Sequence, residues 1–172
     1  VRIYHPSEGA APRDWHDADG KPAANRQDYL AMRYGRRPRH LVYGDSEWAG
    51  WKHPTLDDRT TMSMTVHWRS PAYGQLFLVL WERYLRERAL VAPNHPWAFV
   101  THKKGQRGGG QPGSPYTIAS YVEAHRRAVE RIGLVPAKAN GTTPHGHRHA
   151  MGHFVAVDAE LAPAAIMKIL HH

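Results

Sequence analysis

Alternation of apolar and polar side chains predicts short β-strands in the N-terminal part of the chain. Residues 1–5 alternate in this way, and residues 62–68 do so more clearly, which is typical of half-buried strands. Residues 41–43 are predicted to form another short strand, and residues 97–101 form the end of one more. Together these segments predict a small antiparallel sheet.

Apolar residues at helical spacing mark the clearest helix, which is predicted over residues 73–91. We expect its apolar stripe to pack into the core: Phe77, Leu80, Trp81, Tyr84 and Leu85. Helices are also predicted over residues 25–34, ended by Gly35, and from an N-cap at Ser114 to about residue 132. The side chains expected to face inward from that last helix are Ile118, Tyr121, Val122, Val129 and Ile132.

The C-terminal part is predicted to form two further helices. Thr143 is a favourable N-cap and Pro144 suits the first helical position, so one helix should run from there to about residue 158. The last helix begins near residues 162–163 and ends with the chain.

Residues 6–59 are rich in proline and glycine and read as an insertion-like, loop-rich region. The chain shows no internal repeat. The predicted fold class is therefore α+β and mainly helical, with a small antiparallel sheet packed on a helical core in one domain over residues 1–172.

Composition narrows the class of protein. The 172 residues are 41% hydrophobic, which predicts a globular chain with a real core. No apolar stretch is long enough to span a membrane, and residues 1–6 do not form a signal peptide. Because the chain has no cysteine, disulfides and thiolate metal sites are excluded. A chain that starts at Val1 without Met is expected to be an excised piece of a longer protein.

The net charge of +8 favours an anionic partner, most often nucleic acid, although a generic basic surface is the alternative. Residues 103–114 form a basic, glycine-rich loop without the Gly-Lys-Ser/Thr of a phosphate-binding loop. We expect this loop to contact the DNA backbone; a solvated loop is the alternative.

The most distinctive chemistry lies at the start of the helix capped by Thr143. His145 and Arg148 are three residues apart, about 60° around the helix axis, so their side chains can converge on one small object. The helix start adds unpaired N–H groups and the positive end of the helix dipole. An arginine fork, a histidine and a helix start together suit a phosphodiester oxygen.

A metal site is the competing interpretation of the same helix. His145, His149 and His153 have the i, i+4, i+8 spacing at which two histidines can bind zinc. Against it, residue 146 is glycine where zinc peptidases have glutamate, and Arg148 would repel a cation. A third interpretation, favoured for His147 and His153, is that these histidines are merely structural or surface residues.

The segment His145-Gly146-His147-Arg148-His149 resembles the HxxR box of tyrosine recombinases (phage integrases), often written H-x-L-R-H. The segment 166–172, ending Leu170-His171-His172, resembles the one that follows in that family and usually ends Leu-Gly-His. His147 replaces the usual Leu and His171 the usual Gly. The likeness covers residues 60–172 reasonably and residues 1–59 weakly. We favour a native terminal His pair over one derived from a tag.

The resemblance implies four catalytic residues. Arg148 would stabilise the charge of the transition state, and His145 would act as general base or phosphate ligand. His172 would hydrogen-bond the phosphate. Lys52, in Trp51-Lys52-His53-Pro54, would protonate the leaving oxygen, although a solvated surface lysine is the alternative.

The resemblance also implies the function: site-specific recombination or integration of double-stranded DNA through a 3′-phosphotyrosyl intermediate, without metal or nucleotide cofactor. Self-association on DNA and a cytoplasmic, nucleoid-associated location in a prokaryote or phage system follow from it. The family's N-terminal DNA-binding domain, first catalytic arginine and nucleophilic tyrosine have no counterpart here, so this piece alone is not expected to cleave DNA. The alternatives are a non-catalytic DNA-binding relative and a histidine-cluster metalloprotein.

Overall fold

The computed structural model describes residues 1–103 and 110–170. Within these ranges it is mainly helical with one two-stranded antiparallel sheet, which confirms the α+β class. The strands are β1 (Arg2–Tyr4) and β2 (Ser63–Thr65). The α-helices are α1 (Arg26–Tyr34), α2 (Pro71–Leu90), α3 (Ile118–Arg131), α4 (Pro144–His153) and α5 (Pro163–Leu170).

The sheet forms where the alternating pattern predicted it. Ile3 lies opposite Met64, and Met64 is buried. Backbone hydrogen bonds extend the pairing beyond the strands, because the His5 amide donates to the Met62 carbonyl (2.7 Å) and the Val66 amide to the Val1 carbonyl (3.0 Å). The strand predictions for residues 1–5 and 62–68 are therefore confirmed, with shorter strands than expected.

Two other strand predictions are wrong. Residues 39–41 form a single 3-10 turn, because Pro38 holds φ at −53° and its carbonyl accepts from the Leu41 amide (3.0 Å). Residues 97–101 make only one isolated bridge, between Val100 and Pro115. In that bridge the Thr101 amide donates a hydrogen bond to the Ser114 carbonyl (2.9 Å).

The same bridge explains why α3 begins later than predicted. Hydrogen bonds on both sides of the bridge, from the Thr101 amide to the Ser114 carbonyl and from the Tyr116 amide to the Phe99 carbonyl, pair this segment with residues 99–101, so a helix does not begin at Ser114. Thr117 is the N-cap instead, and its Oγ1 accepts from the Ser120 amide at 3.1 Å. By contrast, α1 has the predicted bounds: Asn25 caps its start and Gly35 ends it with φ of +60°.

The apolar stripes of α2 and α3 are less buried than predicted. Leu80 is 54% exposed and Leu85 42% exposed, so the expectation that they pack in the core is wrong. The aromatic members of the stripe are half-buried and stack on one another, with the rings of Phe77 and Trp81 5.9 Å apart. On α3 only Val129 is buried, and four predicted inward residues are exposed: Ile118, Tyr121, Val122 and Ile132.

The C-terminal helices pack against each other. α4 starts at Pro144 as predicted, but its α-geometry ends at His153 and one π-helical segment, Phe154–Asp158, follows. Val155 in that segment is only 1% exposed. The chain then reverses at Glu160, whose φ is +48°, so that α5 returns along α4. In the ranges described, none of the helices is both long and apolar enough to cross a membrane.

Candidate functional site

The start of α4 is built by its capping residue and its first proline. Thr143 is extended (φ −98°, ψ 164°) and Pro144 occupies the first helical position. The Thr143 carbonyl accepts from the Gly146 amide at 2.8 Å. Its side chain makes no capping hydrogen bond to the described residues, so the helix start is not closed by its own N-cap.

The connection before α4 holds this start in place. Thr142 Oγ1 accepts from the Ala137 amide (2.9 Å) and donates to the Val135 carbonyl (2.6 Å), which fixes the turn. Gly141 adopts a left-handed conformation (φ +66°), and its carbonyl lies directly against Gly146. A Cβ at residue 146 would overlap that oxygen, so this position of the motif requires glycine.

His145 and Arg148 are both exposed on the first turns of α4. The His145 ring contacts the His149 ring edge to face, with centroids 4.5 Å apart. Arg148 Nη2 donates to the Leu170 carbonyl at 2.9 Å. Leu170 is the last residue of α5, where the helix dipole places partial negative charge, so a guanidinium is favoured there.

The predicted phosphate contact His172 lies outside the described residues, as does His171. The hydrogen bond from Arg148 nevertheless reaches the main chain two residues before His172. Gly152 lies at the same junction, because a Cβ there would be 3.7 Å from the Leu170 side chain. The structure thus brings α4 and the end of α5 together at Arg148.

Lys52 lies among different neighbours. It is exposed and forms no hydrogen bond or ion pair within residues 1–103 and 110–170. The residues on either side of it surround His5 next to β1, with ring distances of 5.4 Å for Trp51 and 6.2 Å for His53. The catalytic role of Lys52 stays a prediction.

The motif histidine that departs from the family pattern has a partner that the sequence did not indicate. His147 Nε2 lies 2.9 Å from Nε2 of His125 on α3, with the rings nearly perpendicular. Such a bond needs one ring to donate and the other to accept, so at least one of the two is neutral when it forms. Nothing in the sequence singles out His125, since the two residues are 22 positions apart.

A metal centre is not assembled in the part of the chain that the structure describes. There, no three histidine, aspartate or glutamate side chains converge closely enough to hold an ion. His145 and His149 contact each other through their rings, and His147 is turned toward α3. Half of the basic loop predicted to contact DNA, residues 104–109, lies outside the described residues.

The charges of α3 and α4 are balanced differently. On α3, Glu123 accepts from Arg126 (2.8 Å) and Arg127 (2.7 Å), and these hydrogen bonds lower the pKa of Glu123 to about 2. α4 contains no acidic residue. The exposed side chain of Arg148 lies in the first turns of this helix, and a helix start can bind an anion.

The likeness to tyrosine recombinases depends on His145 and Arg148 in α4 and on the segment that begins at Ile166 in α5. The fold of the described residues agrees with it only at the level of a mainly helical α+β chain. Comparison of the chain with protein-family models, with curated proteins and with solved structures finds no match in any of the three.

Proposed function

We propose that this chain belongs to the catalytic domain of a tyrosine recombinase that breaks and rejoins DNA. The observation that carries the proposal is the position of Arg148. It lies at the start of α4, three residues after His145, and donates to the end of α5 two residues before His172. The hydrogen bond from Arg148 to the Leu170 carbonyl supports the proposal, because it joins the helix that carries the motif to the end of α5.

In this proposal Arg148 binds non-bridging oxygens of the scissile phosphate through its planar fork. Its charge offsets the negative charge that develops in the pentavalent transition state. His145 accepts a proton or binds a phosphate oxygen, and His172 donates a hydrogen bond to the same group. The start of α4 contributes the positive end of its dipole.

The reaction conserves the phosphodiester bond energy. A tyrosine oxygen, from a residue with no counterpart among these 172, attacks the phosphorus while the 5′-oxygen leaves and is protonated, with Lys52 as the proposed donor. The 3′-phosphotyrosyl bond is then attacked by a 5′-hydroxyl of a second strand, which releases the tyrosine. No metal or nucleotide is consumed in either step.

The proposed partner is double-stranded DNA, on which copies of the whole protein would self-associate, in the cytoplasm at the nucleoid. The net charge of +8 supports an anionic partner. Binding by this chain should be weak, without sequence preference, and should weaken as salt rises.

The test is duplex DNA binding by the chain, measured by fluorescence anisotropy over about 50–200 mM salt. Arg148→Ala should weaken binding and reduce the slope of log K against log salt by about 1, because one phosphate contact is lost. Arg131→Ala is the matched control: this exposed arginine ends α3 and should change the slope less.

Salt-independent binding, or equal effects of the two substitutions, would contradict the proposed site. In a protein that also carries the tyrosine and the first arginine, Arg148→Ala should abolish the covalent protein–DNA complex. Near-normal amounts of the covalent complex with Arg148→Ala would refute the catalytic assignment of Arg148. If the unmodified protein formed no covalent complex, a non-catalytic DNA-binding relative would be favoured.

A further inference from the structure

A cavity of about 420 Å³ lies between β1, α1 and three connecting segments of the chain. Its walls come from the region over residues 6–59, which the sequence suggested is an insertion, together with β1 and Pro96, Trp97 and Ala98. It shares no lining residue with α4 or α5. Its size is within the range of small-molecule sites.

The cavity is positively charged. Arg26 and Arg39 both line it, His40 lies beside them, and no aspartate or glutamate is among its lining residues. Burial lowers the pKa of His40, which favours its neutral form, so the charge of the cavity comes from the two guanidiniums. Two guanidiniums on the walls of one concave site, with no carboxylate lining that site, favour the binding of an anion.

Arg26 is the clearest case. Its guanidinium lies over the Tyr4 ring at 4.5 Å and is half-buried. Within residues 1–103 and 110–170 its side chain forms no hydrogen bond or ion pair, and its Nε is fully shielded from solvent. Burial lowers the pKa of Arg26. The fold thus keeps a charge on this wall that its own side chains do not neutralise.

Arg39 is held differently. The carboxylates of Glu47 and Asp45, which do not line the cavity, offset part of the Arg39 charge. Arg39 Nε donates to the Glu47 carbonyl and its Nη2 to the Tyr116 carbonyl at 3.1 Å. Main-chain carbonyls orient a guanidinium without cancelling its charge. The guanidinium carbon of Arg39 also lies 5.8 Å from the Trp97 ring centroid. Arg39 is therefore fixed at the wall and remains available to an anion.

Flat aromatic faces form much of the remaining wall. Tyr29 is buried, and its ring is fixed by edge-to-face contacts with Trp15 (5.2 Å) and Tyr34 (5.7 Å). Trp51 and Trp97 line the cavity as well. Rigid aromatic walls favour a planar ring, by stacking or edge contacts and by burial of apolar area.

We propose that this cavity binds a small organic anion that combines a planar aromatic ring with a phosphate or carboxylate group. The anionic group pairs with Arg26 and Arg39, and the ring packs between the aromatic walls. The site is separate from the start of α4, so the inference stands independently of the proposed DNA chemistry.

The experiment is isothermal titration calorimetry of the chain with four probes. Adenosine 5′-monophosphate and naphthalene-2-carboxylate carry both ring and charge, whereas adenosine carries only the ring and inorganic phosphate only the charge. At least one of the first two should bind with a Kd at least about tenfold lower than both single-feature probes. The proposal is overturned if neither does.

Two variants locate the binding. Arg26→Gln should raise the Kd of the better probe by at least about tenfold, because a charge-assisted hydrogen bond is lost. Arg33→Gln is the matched control, since Arg33 is exposed on the same helix and does not line the cavity. Equal weakening by both variants would mean non-specific surface charge and would refute the site.

A second substitution tests the same cavity independently, in case the Arg26→Gln variant does not fold. Ala98 is exposed at its own position but lines the cavity, so Ala98→Leu fills space there without changing any charge. It should also raise the Kd at least about tenfold. Unchanged affinity in a variant with a native circular dichroism spectrum would place the ligand elsewhere.

Discussion

Two regions of the molecule present arginine in opposite ways. Around the cavity, Arg26 and Arg39 are half-buried, lie against aromatic rings and line a concave site. On α4, Arg148 is exposed, and its guanidinium donates to the Leu170 carbonyl at the end of α5. A buried arginine can be reached only by a ligand that fits the cavity, whereas an exposed one can meet a large, rigid surface such as a DNA duplex.

The difference extends to how each region is stabilised. The cavity walls come from segments far apart in sequence, joined by contacts such as that between Arg39 and the Tyr116 carbonyl. On α4, one turn and the first turns of one helix place both functional side chains, and the end of α5 is the distant contact of Arg148. We therefore expect single substitutions at the backbone of α4 to affect its site alone, and substitutions near the cavity to act through tertiary contacts.

The largest effect is expected at Gly146. A Cβ there overlaps the Gly141 carbonyl, so Gly146→Ala must displace the preceding turn and should lower the free energy of unfolding by about 2–3 kcal/mol. Urea denaturation followed by circular dichroism measures this change. Duplex DNA binding should weaken too, while probe binding in the cavity is retained.

Gly152→Ala on the same helix is the control for this substitution. A Cβ at that position makes only an ordinary contact of 3.7 Å with Leu170. The variant should be unchanged or more stable by about 1 kcal/mol, because alanine favours a helix more than glycine does. If both alanines had the same effect, the close approach at Gly146 would not be what sets the start of α4.

Local chemistry made this part of the molecule predictable from sequence. Thr143, Pro144 and the three-residue spacing of His145 and Arg148 are short-range signals, and the structure has the helix start where they predicted it. The contact of Arg148 with the end of α5 was not predictable in the same way. It depends on the π-helical segment after His153 and on the reversal of the chain at Glu160. The periodicity of apolar residues predicts neither of these.

The predictions that were wrong concern residues whose structure depends on partners far away in the sequence. Ser114 pairs with Thr101 instead of acting as the predicted N-cap. The aromatic residues of the α2 stripe are half-buried because other rings pack against them, whereas Leu80 and Leu85 are exposed. The cavity left no signal in the sequence, because its walls are assembled from five separate segments. Lys52 could be proposed only by resemblance, and its role stays a prediction.

An intermediate effect is expected from pH, through His95 near the cavity. This residue is 1% exposed, and its Nε2 lies 3.0 Å from the Gly113 carbonyl. Burial, and then the charges of Arg36, Arg88 and Arg39, lower its pKa below the usual 6.5, although the bond to Gly113 opposes this. The neutral form is therefore favoured in the folded chain.

Below pH 6.5 the unfolded chain binds a proton that the folded chain does not, so stability should fall as pH decreases toward the lowered pKa. The midpoint of thermal unfolding, followed from about pH 8 to about pH 5, measures this. His95→Gln should flatten the dependence even if it lowers stability at neutral pH, whereas His153→Gln on the exposed face of α4 should not. An unchanged pH dependence in His95→Gln would remove His95 as its source.

The smallest effect is expected on α3, where Arg126 and Arg127 are already paired with Glu123. Glu123→Gln removes the carboxylate that accepts from both Arg126 and Arg127, while Arg126 keeps its contact with Glu130. Freed positive charge should raise the affinity for duplex DNA a few-fold at low salt, without sequence preference. Glu82→Gln on α2, which removes one exposed ion pair with Arg86, is the matched control and should raise the affinity for DNA less.

Because the pKa of Glu123 is about 2, this difference between the variants should persist unchanged from pH 5 to pH 8. If the difference in DNA affinity between the two variants changed across that range, a group other than Glu123 would be titrating. DNA binding would then not be explained by the pairing of charges on α3 alone.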